Sequence, residues 1–178
     1  MKDMSIKKVG LGGGCHWCTE AVFSSLKDVI QVEQGFISSV EESEFSEAVI
    51  VHFNEARISL KDLIEIHLYT HKSTSNHSMR NKYRSAIYVF NLEDFEKSNF
   101  ILDELKKEFE EDLVTQVVHF KSFKPSEKQF KDYYYSDSEK PFCTTYIVPK
   151  LSLLMRKYGK LTNIKKVEAS IAPKATSK

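Results

Sequence analysis

The sequence predicts an α+β fold with a ferredoxin-like βαββαβ core, long loops that cover this core and a C-terminal extension. Short β-branched segments such as Val49-Ile50-Val51 and Val117-Val118 alternate with longer stretches that repeat apolar residues every three or four positions. The first six segments follow the order strand-helix-strand-strand-helix-strand. This order is that of the split βαβ pattern.

The first half of the chain supplies these six segments. We expect strands at Ile6–Leu11, Val29–Ser38, Ala48–Phe53 and Ser85–Phe90, and helices at Cys15–Leu26 and Leu60–His71. Turns are expected where polar residues cluster between the periodic segments. An acidic turn at Glu41–Glu44 separates the second and third strands, and a polar loop at Lys72–Lys82 precedes the fourth.

The second half of the chain is less regular. A helix at Leu92–Glu110 and a strand at Val114–Phe120 complete the regular part. Residues 121–146 are dense in aromatic side chains, and we expect a covering loop that packs on the core. A short helix is expected at Lys150–Tyr158.

Length and composition place the chain among soluble globular proteins. We assign residues 1–160 to one domain and the lysine-rich residues 161–178 to a C-terminal tail with mobile last residues. A net charge of +1 gives no electrostatic reason to expect nucleic acid or an anionic membrane as partner. No apolar run approaches the ~20 residues of a membrane helix. We expect a cytoplasmic monomer, in which three cysteines do not form a disulfide scaffold.

The most informative segment is Gly-Gly-Gly-Cys-His-Trp-Cys-Thr-Glu, residues 12–20. An apolar run precedes it and a helix-forming stretch follows it, which predicts strand, tight turn and helix start. Cys15 then lies in the first helical turn, where unpaired N–H groups and the helix dipole favour a thiolate. This arrangement indicates redox or nucleophilic chemistry.

The roles of the other two cysteines stay open from the residues alone. Cys18 lies one turn after Cys15, so it either forms a disulfide with an oxidised Cys15 or faces the core. Cys143, in the aromatic segment, is either a loop thiol that swings toward an oxidised sulfur or a buried loop residue.

Three further residues are candidates for acid chemistry or hydrogen bonding. Glu20 and Glu47 lie near the reactive segment and the second strand pair, and Tyr83 precedes a strand. A carboxyl group in a partly apolar pocket can donate a proton. From periodicity alone, a solvated surface position is the simpler interpretation for both acids, and an edge-strand position for Tyr83.

Three blocks in this order and spacing resemble the A-type peptide-methionine (S)-S-oxide reductases. They are residues 14–20 (Gly-Cys-His-Trp-Cys-Thr-Glu), 45–49 (Phe-Ser-Glu-Ala-Val) and 83–87 (Tyr-Arg-Ser-Ala-Ile). The later Asp132-Tyr133-Tyr134 fits less specifically, and the resemblance covers about residues 6–146. It implies an α+β domain with a ferredoxin-like core and long loops.

The resemblance also implies a mechanism. Cys15 would attack the sulfoxide sulfur, Glu47 would protonate the sulfoxide oxygen, and Tyr83 would assist by hydrogen bonding. The products are a methionine thioether and a sulfenic acid on Cys15. A resolving cysteine, preferably Cys143 on its flexible loop and otherwise Cys18, would then form a disulfide that thioredoxin or a comparable thiol reduces. No bound cofactor or metal is implied.

The implied substrate is methionine sulfoxide, free or within an oxidised peptide. Trp17 would form one wall of the pocket for its methyl group, and Glu20 belongs to the same expected substrate-binding set. Three positions of that set depart from the family pattern. They are His16 in place of an aromatic residue, Phe36 in place of a tyrosine and Ser78 in place of an aspartate. We therefore expect the redox chemistry to be kept, and we expect these changes to bear on substrate affinity or substrate scope.

Two other functions compete with this one. A thioredoxin-like disulfide oxidoreductase would use Cys15 and Cys18, but no proline opens a strand in the first 120 residues, where a thioredoxin fold places its cis proline. A zinc-binding module would join Cys15, Cys18, Cys143 and His77, with ligands from three distant places. A redox-sensing module that keeps its sulfenic acid is the variant of this second alternative.

Overall fold

The fold is built on a closed, mixed β-sheet. The structure is a computed structural model that describes residues 4–171. Its strands are β1 (Ile6–Gly12), β2 (Val29–Ser39), β3 (Ser46–Asn54), β4 (Ala86–Val89) and β5 (Gln116–Pro125). They pair in the order β1-β3-β2-β5-β4, and β4 pairs back onto β1. All pairs are antiparallel except β4 with β5, which is parallel.

The α+β class predicted from the sequence is confirmed. Four strands keep the antiparallel order β4-β1-β3-β2, which is compatible with the predicted βαββαβ pattern. Closure of the sheet by β5 was not predicted. The predicted strand 114–120 was also wrong at both ends, because β5 starts later and continues to Pro125 along β2, where Phe123 pairs with Ile37. Part of the expected covering loop is therefore strand.

Six α-helices accompany the sheet in the described part of the chain. They are α1 (His16–Ser24), α2 (Leu60–Thr70), α3 (Leu92–Leu105), α4 (Tyr133–Ser136), α5 (Val148–Tyr158) and α6 (Ile164–Ile171). Local chemistry explains where two of them begin. Ser59 and Asp62 form a capping box at α2, and the Asn91 side chain accepts the Asp94 N–H at α3. Between residues 4 and 171, none of the helices has the length and apolar character needed to span a membrane.

The main core lies between the sheet and its helices. Val9, Leu11 and Val51 from the sheet pack in one cluster with residues of α1, α2, α3, α5 and α6. The alternate strand positions form a second, smaller cluster that contains Ile37 and Tyr88. Because successive side chains of a strand point to opposite faces, the two clusters lie on the two faces of the closed sheet.

The C-terminal segment differs from the expected tail. Residues 164–171 form α6, whose Val167 is fully buried. Thr162 pairs with Leu26, and the Asn163 N–H donates to the Ser25 carbonyl at 2.8 Å, so this segment is bound to the end of α1. The sequence interpretation missed the apolar spacing of Ile164, Val167 and Ile171, which marks one helix face. The mobility expected of the last residues concerns 172–178, which lie outside the described residues.

Candidate active site

Cys15 immediately precedes α1. β1 ends at Gly12, the chain turns through Gly13 and Gly14, and Cys15 occupies the N-cap position. A Cβ atom on Gly13 would collide with the imidazole of His71, so only glycine allows this close approach. The structure therefore contains the predicted strand, turn and helix start, with Cys15 at the N-terminal end of α1.

The surroundings of Cys15 favour its thiolate. The pKa of the Cys15 thiol is lowered, first by a hydrogen bond from the Cys18 thiol and further by the backbone N–H groups of Trp17 and Cys18. Partial burial and the nearby negative charge of Glu47 oppose this shift of the pKa. The hydrogen-bond donors around Cys15 thus lower its pKa more than burial and Glu47 raise it, as expected for a reactive cysteine.

Cys18 takes both of the positions that the sequence left open. Its side chain is buried within the main core cluster, and it also borders the cavity at Cys15. The pKa of the Cys18 thiol is raised, mainly by its hydrogen bond to Cys15 and then by burial. Cys15 is therefore the thiol that loses its proton first, whereas Cys18 keeps its proton. All three cysteines are free.

An open cleft of about 360 Å³ starts at Cys15 and Cys18. Tyr83 lines this cleft together with Met79 and the aromatic side chains of Phe142 and Tyr146. The hydrogen bond expected from Tyr83 to the substrate stays a prediction. A cleft of this size with an apolar rim can receive a thioether side chain and part of the peptide that carries it.

Glu47 lies in β3, beside the start of α1. It is buried, and its Oε1 accepts the backbone N–H of His16 at 3.1 Å. Its own N–H donates to the Lys82 carbonyl at 3.0 Å, which holds the segment before Tyr83 beside β3. The Lys82 ammonium lies 3.7 Å from Oε2. The carboxyl group is thus held at the residue that follows Cys15 by a hydrogen bond from the backbone.

His16 and Phe36 border Glu47 rather than the cleft. The Nδ1 of His16 donates to the Gly35 carbonyl at 2.7 Å, its Nε2 lies 3.6 Å from Glu47 Oε1, and its ring meets Phe36 edge-on at 5.1 Å. Burial lowers the pKa of His16, so the imidazole is neutral. Phe36 pairs directly with Glu47 across β2 and β3. Their substrate contacts stay predictions.

Trp17 packs against the aromatic segment. Its ring stacks on Tyr133 at 4.0 Å and on Phe130 at 5.8 Å, and meets Phe142 edge-on at 5.3 Å. Trp17 itself does not line the cleft, but Phe142, which contacts it, does. Tyr133 covers one face of the indole. The role of Trp17 as a wall for the substrate methyl stays a prediction.

Glu20 has a structural position that differs from the predicted substrate contact. The carboxylate is buried in α1. Its Oε1 accepts from Gln34 at 2.7 Å and from the Tyr133 N–H at 3.2 Å, and its Oε2 accepts from the Asp132 N–H at 2.9 Å. Burial raises the pKa of Glu20, against these hydrogen bonds. Both oxygens bind the aromatic segment to α1, so the structure supports a structural role.

Cys143 does not lie on a flexible loop. Residues Cys143–Ile147 form a π-helical turn that leads into α5, and the Cys143 side chain is completely buried. Its thiol donates to the Asp137 carbonyl at 3.7 Å, and burial raises its pKa. The expectation of a mobile thiol was wrong because Ile147, Leu151 and Leu154 fix this turn in the core.

Ser78 and His77 differ in their position relative to the cleft, and a substrate contact of Ser78 stays a prediction. Ser78 is exposed and does not line the cleft, whereas His77 does. The zinc alternative needed His77 and Cys143 beside Cys15 and Cys18. No group of three or more His, Cys, Asp or Glu side chains suited to a metal ion occurs within residues 4–171.

The sequence interpretation missed three basic residues behind Cys15. His67, His71 and Lys150 line a smaller cavity of about 40 Å³ together with Cys15 and Cys18. Burial lowers the pKa of His67 to about 4 and that of His71 well below its ordinary value, so both imidazoles are neutral. The four-residue spacing of the two histidines on a predicted helix was a usable signal. Nothing local in the sequence marked Lys150.

A thiolate at a helix N-cap, a second thiol bonded to it and a buried carboxyl group beside it define a thiol-dependent redox enzyme. The chain belongs to the family described as peptide methionine sulfoxide reductase, whose model matches residues 7–162. It is thus an oxidoreductase of the methionine sulfoxide reductase class.

Relatives support this family assignment along most of the chain. The peptide methionine sulfoxide reductase MsrA of Erwinia tasmaniensis is 29% identical over 168 residues, which cover 85% of this chain and 94% of that protein. The protein of the same name from Campylobacter jejuni is 29% identical over 159 residues, covering 82% of this chain and 96% of that protein.

Solved structures share the fold. Mxr1 from Saccharomyces cerevisiae in reduced form matches with a TM-score of 0.69 at 20% identity, over 79% of this chain and 91% of that chain. Methionine sulfoxide reductase A of Corynebacterium diphtheriae matches with a TM-score of 0.66 at 16% identity, over 75% of this chain and 76% of that chain. Mxr1 in complex with Trx2 matches with a TM-score of 0.59 at 20% identity, over 70% of this chain and 84% of that chain.

Proposed function

We propose that this chain reduces methionine S-sulfoxide, free or within a peptide, through a sulfenic acid on Cys15. The observation that carries the proposal is the position of Cys15, which is at a helix N-cap, has a lowered pKa and lines an open cleft, while the Glu47 carboxyl group binds the N–H of the next residue. Family membership supplies the reaction class.

The first step transfers the oxygen from substrate to enzyme. The Cys15 thiolate attacks the sulfoxide sulfur while Glu47, acting as general acid, delivers a proton to the oxygen. The oxygen then passes to Cys15 as a sulfenic acid, and the substrate sulfur leaves as the thioether. Tyr83, which lines the cleft, would add a hydrogen bond to the oxygen.

The second step closes a disulfide within the chain. Cys18 is the more favourable resolving residue, because its thiol already hydrogen-bonds to Cys15 and lies one helical turn away. Cys143, the residue preferred from the sequence, would first have to leave a buried turn of helix. This comparison reverses the preference.

Thioredoxin or a comparable thiol would reduce this disulfide. The support comes from the yeast relative Mxr1, which has been solved with Trx2, a thioredoxin. For the present chain, thioredoxin as partner, a cytoplasmic location and a monomeric state remain predictions.

The direct test offers both sulfoxide epimers to the protein with dithiothreitol. We expect turnover of the S epimer alone, and its loss in Cys15→Ser. Mass spectrometry after one equivalent of sulfoxide without reductant should then show a Cys15–Cys18 disulfide in the wild type and in Cys143→Ser, but not in Cys18→Ser. Failure to reduce either epimer contradicts the proposed function, whereas a Cys15–Cys143 disulfide contradicts only the choice of resolving residue.

A further inference from the structure

Lys150 lies beside both thiols and has no role in the reaction described so far. It is in the first turn of α5 and borders both the cleft and the smaller cavity, each time with Cys15 and Cys18. Its ammonium group donates a hydrogen bond to the carbonyl of Thr70, the last residue of α2. The contact between two helices therefore sets the place of this charge.

The charge of Lys150 has no carboxylate partner. No ion pair joins it to an Asp or Glu within residues 4–171. Burial lowers the pKa of Lys150, and the negative charges of the Cys18 and Cys15 thiolates act in the opposite direction. Partial burial of an unpaired cation costs free energy. Its position next to two thiols therefore points to negative charge that forms there during the reaction.

We propose that Lys150 is a positioning residue for the second step, in which its ammonium group stabilises the Cys18 thiolate as that sulfur attacks the Cys15 sulfenic acid. The inference rests on the proposed function. In this step the Cys18 thiol loses its proton, the S–S bond forms and the S–O bond of the sulfenic acid breaks. The departing hydroxide takes up a proton and leaves as water. The Cys15 sulfur is reduced, the Cys18 sulfur is oxidised, and Lys150 keeps its own proton.

The other charged or titratable groups around the two sulfurs cannot replace Lys150. Glu47 from β3 raises the pKa of Cys15, and Cys143 from the turn before α5 raises that of Cys18. His67 and His71 from α2 are neutral. Lys72 also lines the cleft and lowers the pKa of Lys150, and Lys82 is paired with Glu47. Lys150 is the cation whose charge lowers the pKa of Cys18. Its effect gains importance once Cys15 is a neutral sulfenic acid.

Two variants separate the charge of Lys150 from its bond between helices. Lys150→Gln removes the charge and keeps a hydrogen-bond donor for Thr70, whereas Lys150→Arg keeps both. Lys157→Gln is the control, because this lysine lies on the same helix with its ammonium over the ring of Tyr69, at 4.3 Å. Each full-length protein is mixed with one equivalent of methionine S-sulfoxide in the absence of reductant. Disulfide formation is followed against pH by rapid alkylation and mass spectrometry, and the sulfenic acid is trapped with dimedone.

We expect the midpoint of the pH profile of disulfide formation to rise by about one unit in Lys150→Gln, which is a tenfold slower step below the midpoint. Trapped sulfenic acid should increase accordingly. Lys150→Arg and Lys157→Gln should keep the wild-type midpoint. A pH profile that is unchanged in Lys150→Gln overturns the proposal, even if the melting temperature of this variant falls. Lys150 would then have only a structural role, through its hydrogen bond to Thr70. If the wild type forms no methionine at all, the proposed function itself has failed.

Discussion

The groups near Cys15 differ between strand β3 and the helices α2 and α5. At β3, Glu47 accepts the His16 N–H and lies 3.7 Å from the Lys82 ammonium, and its negative charge raises the pKa of Cys15. On the side of α2 and α5, the buried histidines are neutral and Lys150 is the cation. The two proposed steps use these two groups differently, because an acid is needed where oxygen is protonated and a cation where the second thiolate forms.

The largest effect is expected for Glu47→Gln, which removes the acid at β3. General acid catalysis contributes about 10²–10⁴-fold, so we expect kcat/KM to fall by that factor. The Cys15 titration should move the other way: since the Glu47 charge raises the pKa of Cys15, its removal lowers this pKa, and the thiolate persists to lower pH. Steady-state kinetics and pH-dependent alkylation by iodoacetamide measure the two effects.

The matched control for this variant is Glu33→Gln. Glu33 lies on the neighbouring strand β2 and pairs with a histidine, His52, at 2.6 Å, but it does not border Cys15. It should change neither quantity. A Glu47→Gln protein with wild-type kcat/KM would rule out the carboxyl group as the proton donor.

Glu20→Ala tests whether the site depends on the aromatic segment that α1 holds. The change leaves Gln34 and the N–H groups of Asp132 and Tyr133 without their acceptor, which should lower the free energy of unfolding by about 2–4 kcal/mol. Trp17 is the single tryptophan and stacks on Tyr133, so its emission should shift to longer wavelength. Urea unfolding followed by fluorescence measures both effects. Glu127→Ala, which removes an exposed acid, should show neither, and an unshifted emission in Glu20→Ala would argue against the structural role.

Tyr83→Phe removes one hydroxyl group from the cleft. If that hydroxyl hydrogen-bonds to the sulfoxide oxygen, its loss costs about 1 kcal/mol, so kcat/KM should fall roughly 5–10-fold. Tyr146→Phe is the comparison variant, because Tyr146 lines the same cleft but is 58% exposed. Equal effects of the two variants would assign no particular role to Tyr83.

The smallest effect is expected for Ser78→Asp, which adds a carboxylate at the position where the family pattern has one. Ser78 is exposed and outside the cleft lining, so screened charge should change KM less than about threefold. A larger change in KM would show that this loop approaches the substrate.

The local features of the site were predictable from the sequence, and the long-range contacts were not. The strand, glycine turn and helix start around Cys15 follow from neighbouring residues, so their prediction agreed with the structure. The expected mobility of Cys143 was wrong because mobility depends on what packs against a turn, and aromatic composition does not specify this. Glu20 likewise had no local sign that it binds residues more than one hundred positions later.

The sequence by itself determined the α+β class, the helix that begins at Cys15 and the family resemblance, because each depends on residue types at short spacing. Tertiary structure alone decided that β5 closes the sheet, that Cys18 rather than Cys143 hydrogen-bonds to Cys15, and that Lys150 lies behind both sulfurs. The physical reason is that the charge around a thiol comes from every element packed against it. Lys150 is 135 positions from Cys15 in the chain and reaches it only because α5 packs against α1 and α2.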